Sequence, residues 1–161
     1  MKKTISRGDD LYEAGVFEIL LQYEVSRSKR YPAPLSLLKI EMTPSAVGKE
    51  SLQNASSIFA AQINAHIRSV DIPTGSGSRL DLLLPTTDDA GARTICKRLL
   101  SIFKNKFSGA NHETIAFSLQ IGASSHPGGS TLSGEYLNQK AEEALAQSKF
   151  KGPHTYILIA K

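Results

Sequence analysis

One cysteine, no long apolar stretch and no clustered histidines set the first limits on this chain. Cys96 is alone among 161 residues, which excludes an internal disulfide and a cysteine-built metal cluster. Its neighbours Ile95, Leu99 and Leu100 are apolar, so it reads as a small buried side chain. No apolar run approaches the roughly 20 residues that span a bilayer, so membrane insertion is not expected. The N-terminal MKKTISRG is basic, but no apolar stretch of signal-peptide type follows it, and a cytoplasmic protein is expected. His66, His112, His126 and His154 are far apart and lack ligand spacing, so they read as surface or hydrogen-bonded residues. Ser124, Ser125 and Ser130 have no evident base partner, which leaves nucleophilic catalysis without support.

What is present is ordinary for a globular protein: 40% hydrophobic and 21% charged residues in a length that suits one buried core. Repeats and low-complexity segments are lacking. The expected organisation is a flexible segment over residues 1–8 and a single domain over 9–161. The net charge is +4, but the basic residues are dispersed over helix faces. They fit a solvated surface better than a nucleic-acid interface.

Helical spacing of Val16, Phe17, Leu20, Leu21 and Val25 predicts a helix from Asp10 to Arg30, stopped by Tyr31-Pro32-Ala33-Pro34. Leu35 to Met42 is a short apolar run with the mark of a buried strand. Pro44 and Ser45 are expected to open a second helix to about Arg68, with Leu52, Ile58, Phe59, Ile63 and Ile67 as its stripe. Strands near Val70–Pro73 and Leu80–Leu84 flank Thr74-Gly75-Ser76-Gly77-Ser78, a hairpin tip. A third helix is expected from Asp88-Asp89 to about Phe107, then a strand over Ile115–Ala123 and a loop over His126–Ser130. A helix over Ser133–Lys149 and a strand over His154–Ala160 complete the chain. The order α-β-α-β-β-α-β-α-β predicts a mixed central sheet flanked by helices, an α/β or α+β sandwich.

Three segments resemble the GGDEF family of bacterial diguanylate cyclases. Phe17-Glu18, Glu24, Arg27, Arg30-Tyr31 and Pro34 to Leu38 are similar to its first helix and strand. Arg68-Ser69-Val70-Asp71, the hairpin and Leu82-Leu83-Leu84-Pro85 are similar to its RxxD element, signature hairpin and following strand. Ser118 to Ala123, Ala141 to Leu145, Ser148-Lys149 and Gly152 are similar to its later strand and last helix. The resemblance implies a GGDEF-like, nucleotidyl-cyclase-type sheet with a signature β-hairpin. It also implies a chemistry in which two GTP-loaded domains meet and divalent metal neutralises the phosphates.

Several positions depart from what that chemistry needs. The family places one metal-binding acid at the end of the first strand, where Glu41 stands, and another in the hairpin. Where the family reads GG(D/E)EF, this chain reads Ser76-Gly77-Ser78-Arg79-Leu80, or in a second register Gly77-Ser78-Arg79-Leu80-Asp81. Either register brings Arg79 into the acid positions. Ser76 adds bulk where phosphate would approach a glycine backbone. The stretch from Glu41-Met42-Thr43-Pro44-Ser45 to Arg68 is shorter than the family's guanine-reading segment. Lys149 matches a phosphate-contacting lysine, but Pro153 stands in place of its partner arginine. The expectation is a degenerate pseudoenzyme with no catalytic residues, no cofactor, and Glu41 and Lys149 as vestiges of metal and phosphate sites.

Arg68 and Asp71 match both ends of the RxxD element, which in the family binds cyclic di-GMP. A guanidinium can fork onto guanine or phosphate, and a carboxylate can accept from guanine N–H groups. The same two residues can instead cap a helix end. The leading expectation is therefore a regulatory or protein-interaction module whose partner is another protein or domain, with a homodimer as one form. A cyclic di-GMP or nucleotide receptor comes second, and an active cyclase third.

Overall fold

In the computed structural model the backbone is described for residues 11–46, 49–108 and 114–161, and side chains for these apart from residues 46–53. The elements are α1 (Ala14–Arg30), β1 (Leu35–Ala46), α2 (Lys49–Ala65), β2 (Ile72–Ser76), β3 (Arg79–Pro85) and α3 (Asp89–Ile102). Then follow β4 (Phe107–Ser108), β5 (Thr114–His126), α4 (Gly134–Lys151) and β6 (Thr155–Ala160). They build one six-stranded sheet, ordered β2-β3-β1-β5-β4, with β6 also paired to β5. β5 and β6 run parallel and the other pairs antiparallel, so the sheet is mixed and the architecture α+β.

β1 lies between β3 and β5 and is covered on both faces, which is why its sequence reads as a nearly continuous apolar run. Leu38, Ile40 and Met42 pack with Phe59 and Ile63 of α2 and Ile95, Cys96 and Leu99 of α3. Leu35 and Leu37 point the other way, toward Phe17, Leu21 and Val25 of α1 and Leu137 and Ala141 of α4. Edge-to-face contacts of Phe103 with Phe59 and Phe117, at 5.6 and 5.5 Å between centroids, close the first core. In the second layer α4 lies directly on β5 at Gly122, where a Cβ would overlap the Leu145 nitrogen and the Ala141 carbonyl oxygen. Both later helices start on side-chain caps: Asp88 accepts from Gly91 N–H at 2.9 Å, and Ser133 from Tyr136 N–H at 3.0 Å.

Several boundaries differ from the sequence expectation. Tyr12 is not helical, because its N–H bonds to the Pro73 carbonyl and its own carbonyl accepts from Thr74 Oγ1. β1 continues through Pro44 instead of yielding to a helix there. β3 has ended by that point, at the Glu41–Arg79 pair, so the missing N–H of Pro44 breaks no ladder on that side. The first hairpin strand starts at Ile72 rather than Val70. Helix α3 ends at Ile102, and Phe107–Ser108 form a further short strand against β5. His126 belongs to the end of β5 and pairs with Leu35. Residues 1–8, His112 and the Leu52 side chain lie outside the described residues. Cys96 is fully buried, and burial pushes its thiol up to about 12.

Candidate functional site

The hairpin is a two-residue turn. Ser76 pairs with Arg79, and Gly77-Ser78 form the tip, with Gly77 at a φ of 64°, in the left-handed region glycine tolerates. The β1–β3 register then sets Arg79 directly opposite Glu41, and Asp81 opposite Lys39. Alternation puts these four side chains on the same sheet face as Leu35, Leu37 and Leu83. That face therefore changes from apolar to ionic along β1. Helix α4 crosses above it and adds Glu142 and Lys149, two turns apart on one side of the helix.

The result is an ionic cluster in which each carboxylate faces cations. Glu41 Oε1 lies 3.4 Å from Arg79 Nη1, and Glu41 Oε2 lies 2.8 Å from Lys149 Nζ. Arg79 Nη2 donates to Glu142 Oε2 across to α4, and Lys39 Nζ lies 3.8 Å from the same oxygen. Lys39 Nζ donates to Asp81 Oδ2 at 3.0 Å. Asp81 Oδ1 is buried without a hydrogen bond and sees Arg79 Nε at 4.0 Å. Burial works against the charge on Arg79. The hydrogen bond and charge of Glu142, with the charges of Asp81 and Glu41, outweigh it and hold the guanidinium pKa above its ordinary value. A hard divalent cation wants several free carboxylate oxygens, and here both oxygens of Glu41 face fixed cations. Among the described residues, no three His, Cys, Asp or Glu side chains are placed to hold a metal.

Arg68 and Asp71 lie elsewhere, in the connection between α2 and β2. Asp71 is 1% exposed. Its Oδ2 accepts the Arg68 backbone N–H at 2.8 Å, and its Oδ1 accepts from Arg68 Nη2 at 2.7 Å and Nε at 3.1 Å. Arg68 Nη2 also donates to the Pro85 carbonyl at 3.0 Å and to Thr87 Oγ1 at 2.7 Å. The pair thus fastens the α2–β2 connection to the β3–α3 connection. An open cleft of about 340 Å³ lies alongside, lined by Arg68, Thr86, Asp88, Thr94 and Arg98.

Of the residues singled out by sequence, Glu41, Arg79 and Lys149 meet in one cluster. Ser76, Gly77 and Ser78 form the hairpin end, and Leu80 turns into the core between α2 and α3. Lys39 and Glu142 were missed, and Asp81 was named only within the second hairpin register. The alternation of β1 could have flagged Lys39, which stands two residues from Glu41. The histidines described are tied to backbone. His154 bridges the Leu100 carbonyl at 2.6 Å and the Leu119 N–H at 3.2 Å, and His126 Nδ1 accepts from Gly128 N–H at 2.9 Å.

No family model matches this sequence, and no curated protein matches it either. Solved structures do. The GGDEF domain of TpbB (YfiN) from Pseudomonas aeruginosa is 18% identical with a TM-score of 0.81, over 96% of this chain and 92% of that one. The GGDEF domain of DgcB from Caulobacter crescentus, solved with c-di-GMP, is 13% identical with a TM-score of 0.77, over 98% and 92%. The diguanylate cyclase SiaD from Pseudomonas aeruginosa, solved with its activator SiaC, is 16% identical with a TM-score of 0.76, over 95% of this chain and 60% of SiaD. Identities this low speak to architecture, and on that ground the chain has the fold of the GGDEF domains of diguanylate-cyclase-type proteins.

Proposed function

We propose that this chain is a catalytically inactive GGDEF-like domain acting as a regulatory or protein-interaction module in bacterial cyclic-di-GMP-type signalling. The observation that carries this reading is the seating of Arg79 and Lys149 on the two oxygens of Glu41. Joining two GTP molecules relies on metal ions to neutralise phosphate charge while a ribose hydroxyl attacks. A guanidinium with a raised pKa stays charged at every physiological pH and repels a divalent ion from Glu41. Lys149, the one phosphate contact that the resemblance carries over, is spent on the same carboxylate. What persists is the scaffold, a mixed sheet with helices packed on both faces. SiaD, with which it shares a fold, is held by a protein activator, which supports a protein partner here. Among the described residues no helix is long and apolar enough to cross a membrane, and the reading places the protein in the cytoplasm.

The alternative is a cyclic di-GMP receptor working through Arg68 and Asp71. DgcB, solved with c-di-GMP, favours keeping it in view. Against it stands the engagement of Arg68 with Asp71, Pro85 and Thr87, which a ligand would have to undo. Isothermal titration calorimetry with cyclic di-GMP, and separately with GTP and Mg²⁺, separates the two. Silence with both ligands is expected. Micromolar cyclic di-GMP binding that disappears in Arg68→Ala would replace the module reading with the receptor.

A further inference from the structure

β6 is an outer strand of the sheet, and its edge is unusually bare. It reads Thr155-Tyr156-Ile157-Leu158-Ile159-Ala160, all residues of strand character except the last, with no proline, glycine or charge. Exposed edges are normally blunted by a charge, a proline or a bulge, because unpaired N–H and C=O groups recruit other strands. Among the described residues β6 pairs with β5 alone. Lys161 N–H reaches the Ser125 carbonyl of β5. Counting back with strand alternation, Ile159 and Ile157 also direct their backbone groups toward β5. The N–H and C=O of Tyr156, Leu158 and Ala160 therefore point outward. The strand is held firmly in this position, since the Tyr156 and Leu158 side chains pack against the α2–α3 core.

Lysines stand near the start of this edge and directly after its end. Lys97 of α3 and Lys104 just beyond that helix, with Leu100, Ser101 and His154, line an open hollow of about 290 Å³ at the start of the strand. Lys151 Nζ lies 5.8 Å from the Tyr156 ring centroid, and Lys161 follows the strand directly. Glu143 on α4 is already paired with Lys140 at 3.1 Å.

We propose that the β6 edge docks an extended peptide segment from a partner, apolar in its middle and acidic at both ends, which adds to the sheet as a further strand. Main-chain hydrogen bonds to Tyr156, Leu158 and Ala160 supply the pairing, and the flanking lysines select the acidic ends. A second copy of this chain is the poorer occupant. Self-pairing would bring Lys97, Lys104, Lys151 and Lys161 of both copies to one seam, where like charges repel. The edge needs neither metal nor nucleotide, so this proposal stands or falls separately from the loss of catalysis.

The test uses the ¹⁵N-labelled full chain and the synthetic peptide acetyl-Asp-Val-Thr-Val-Ile-Val-Asp-amide. The expected result is saturable binding that slows amide exchange at Tyr156, Leu158 and Ala160. The same peptide with lysine at both ends binds about tenfold more weakly. The double substitution Lys97→Glu with Lys104→Glu, at exposed positions on α3 and in the turn after it, reverses that preference. An acidic peptide N-methylated on its pairing edge keeps every side chain but loses binding. Absence of saturable binding, protection at other strands, or unchanged binding of the N-methylated peptide would each overturn the proposal. So would peptide-free self-association that protects the same three amides, which would give the edge to a second copy.

Discussion

The Arg79 guanidinium faces Glu41 directly across the β1–β3 ladder, and Lys149 closes on the other oxygen of the same carboxylate from α4. The Glu41 carboxylate thus belongs to an internal ion network joining two strands and a helix.

Removing one member tests whether the network substitutes for a metal. Arg79→Ala leaves Glu41 and Glu142 without a shared cation and is expected to cost about 1 kcal/mol, a fall of roughly 2–4 °C in Tm. The loss should shrink in about 1 M salt, because these side chains are partly exposed. Mn²⁺ or EDTA should leave the Tm of the intact protein unchanged. Arg79→Glu, which adds a carboxylate beside Glu41, Asp81 and Glu142, should show a Tm that rises with Mn²⁺. Differential scanning fluorimetry reads all of these, and a metal-dependent Tm in the intact protein would contradict the substitution.

The Arg68–Asp71 pair should behave as one unit. Asp71→Ala leaves the half-exposed guanidinium its Pro85 and Thr87 contacts, whereas Arg68→Ala strands a buried carboxylate. Each change is expected to cost about 2–3 kcal/mol in urea unfolding. The double variant should fall short of the sum by about 1 kcal/mol. Additive losses would show that the two groups contribute independently.

His126 predicts a pH dependence with a definite sign. It is almost wholly buried, and burial, then the nearby Lys161 charge, lowers its pKa from 6.5. Gly128 N–H occupies Nδ1, so the proton sits on Nε2 and donates to Thr131 Oγ1 at 3.1 Å. The folded state holds the neutral ring while the unfolded chain takes up a proton below 6.5. The stabilisation is therefore complete above that pH and is lost as pH falls through the lowered folded value. His126→Gln should flatten the decline in unfolding free energy as pH falls below 6.5. An unchanged slope would assign the decline to other groups.

Gly122 predicts a packing limit. Backbone atoms of α4 occupy the space a Cβ needs, so no side-chain rotation can relieve Gly122→Ala. A loss of about 3 kcal/mol is expected from denaturant unfolding. A near-neutral result would mean that α4 can lift from β5 without penalty.

Much of this was legible in local pattern. The apolar run after Pro34 marked β1, the glycine-serine run Thr74-Gly75-Ser76-Gly77-Ser78 marked the hairpin although its first three residues belong to β2, and Ser133 marked the start of α4. The failures have a common cause, since each needed a distant partner. Pro44 reads as a helix opener until β5 is seen to pair with it. Phe107–Ser108 become a strand only because Thr114–Ile115 lie alongside. Glu41, Arg79 and Lys149 could be named from the resemblance, but their contact depends on strand register and on how α4 crosses the sheet. Glu142, 63 residues from Arg79, carried no local signal of the bond it makes.

The most direct measurement is a search for cyclic di-GMP by liquid chromatography and mass spectrometry after long incubation of concentrated protein with GTP and either Mg²⁺ or Mn²⁺. The account predicts that no product accumulates, in the intact protein or in Glu41→Ala. Product formed by the intact protein and lost in Glu41→Ala would show that the carboxylate still serves a metal, and would contradict it.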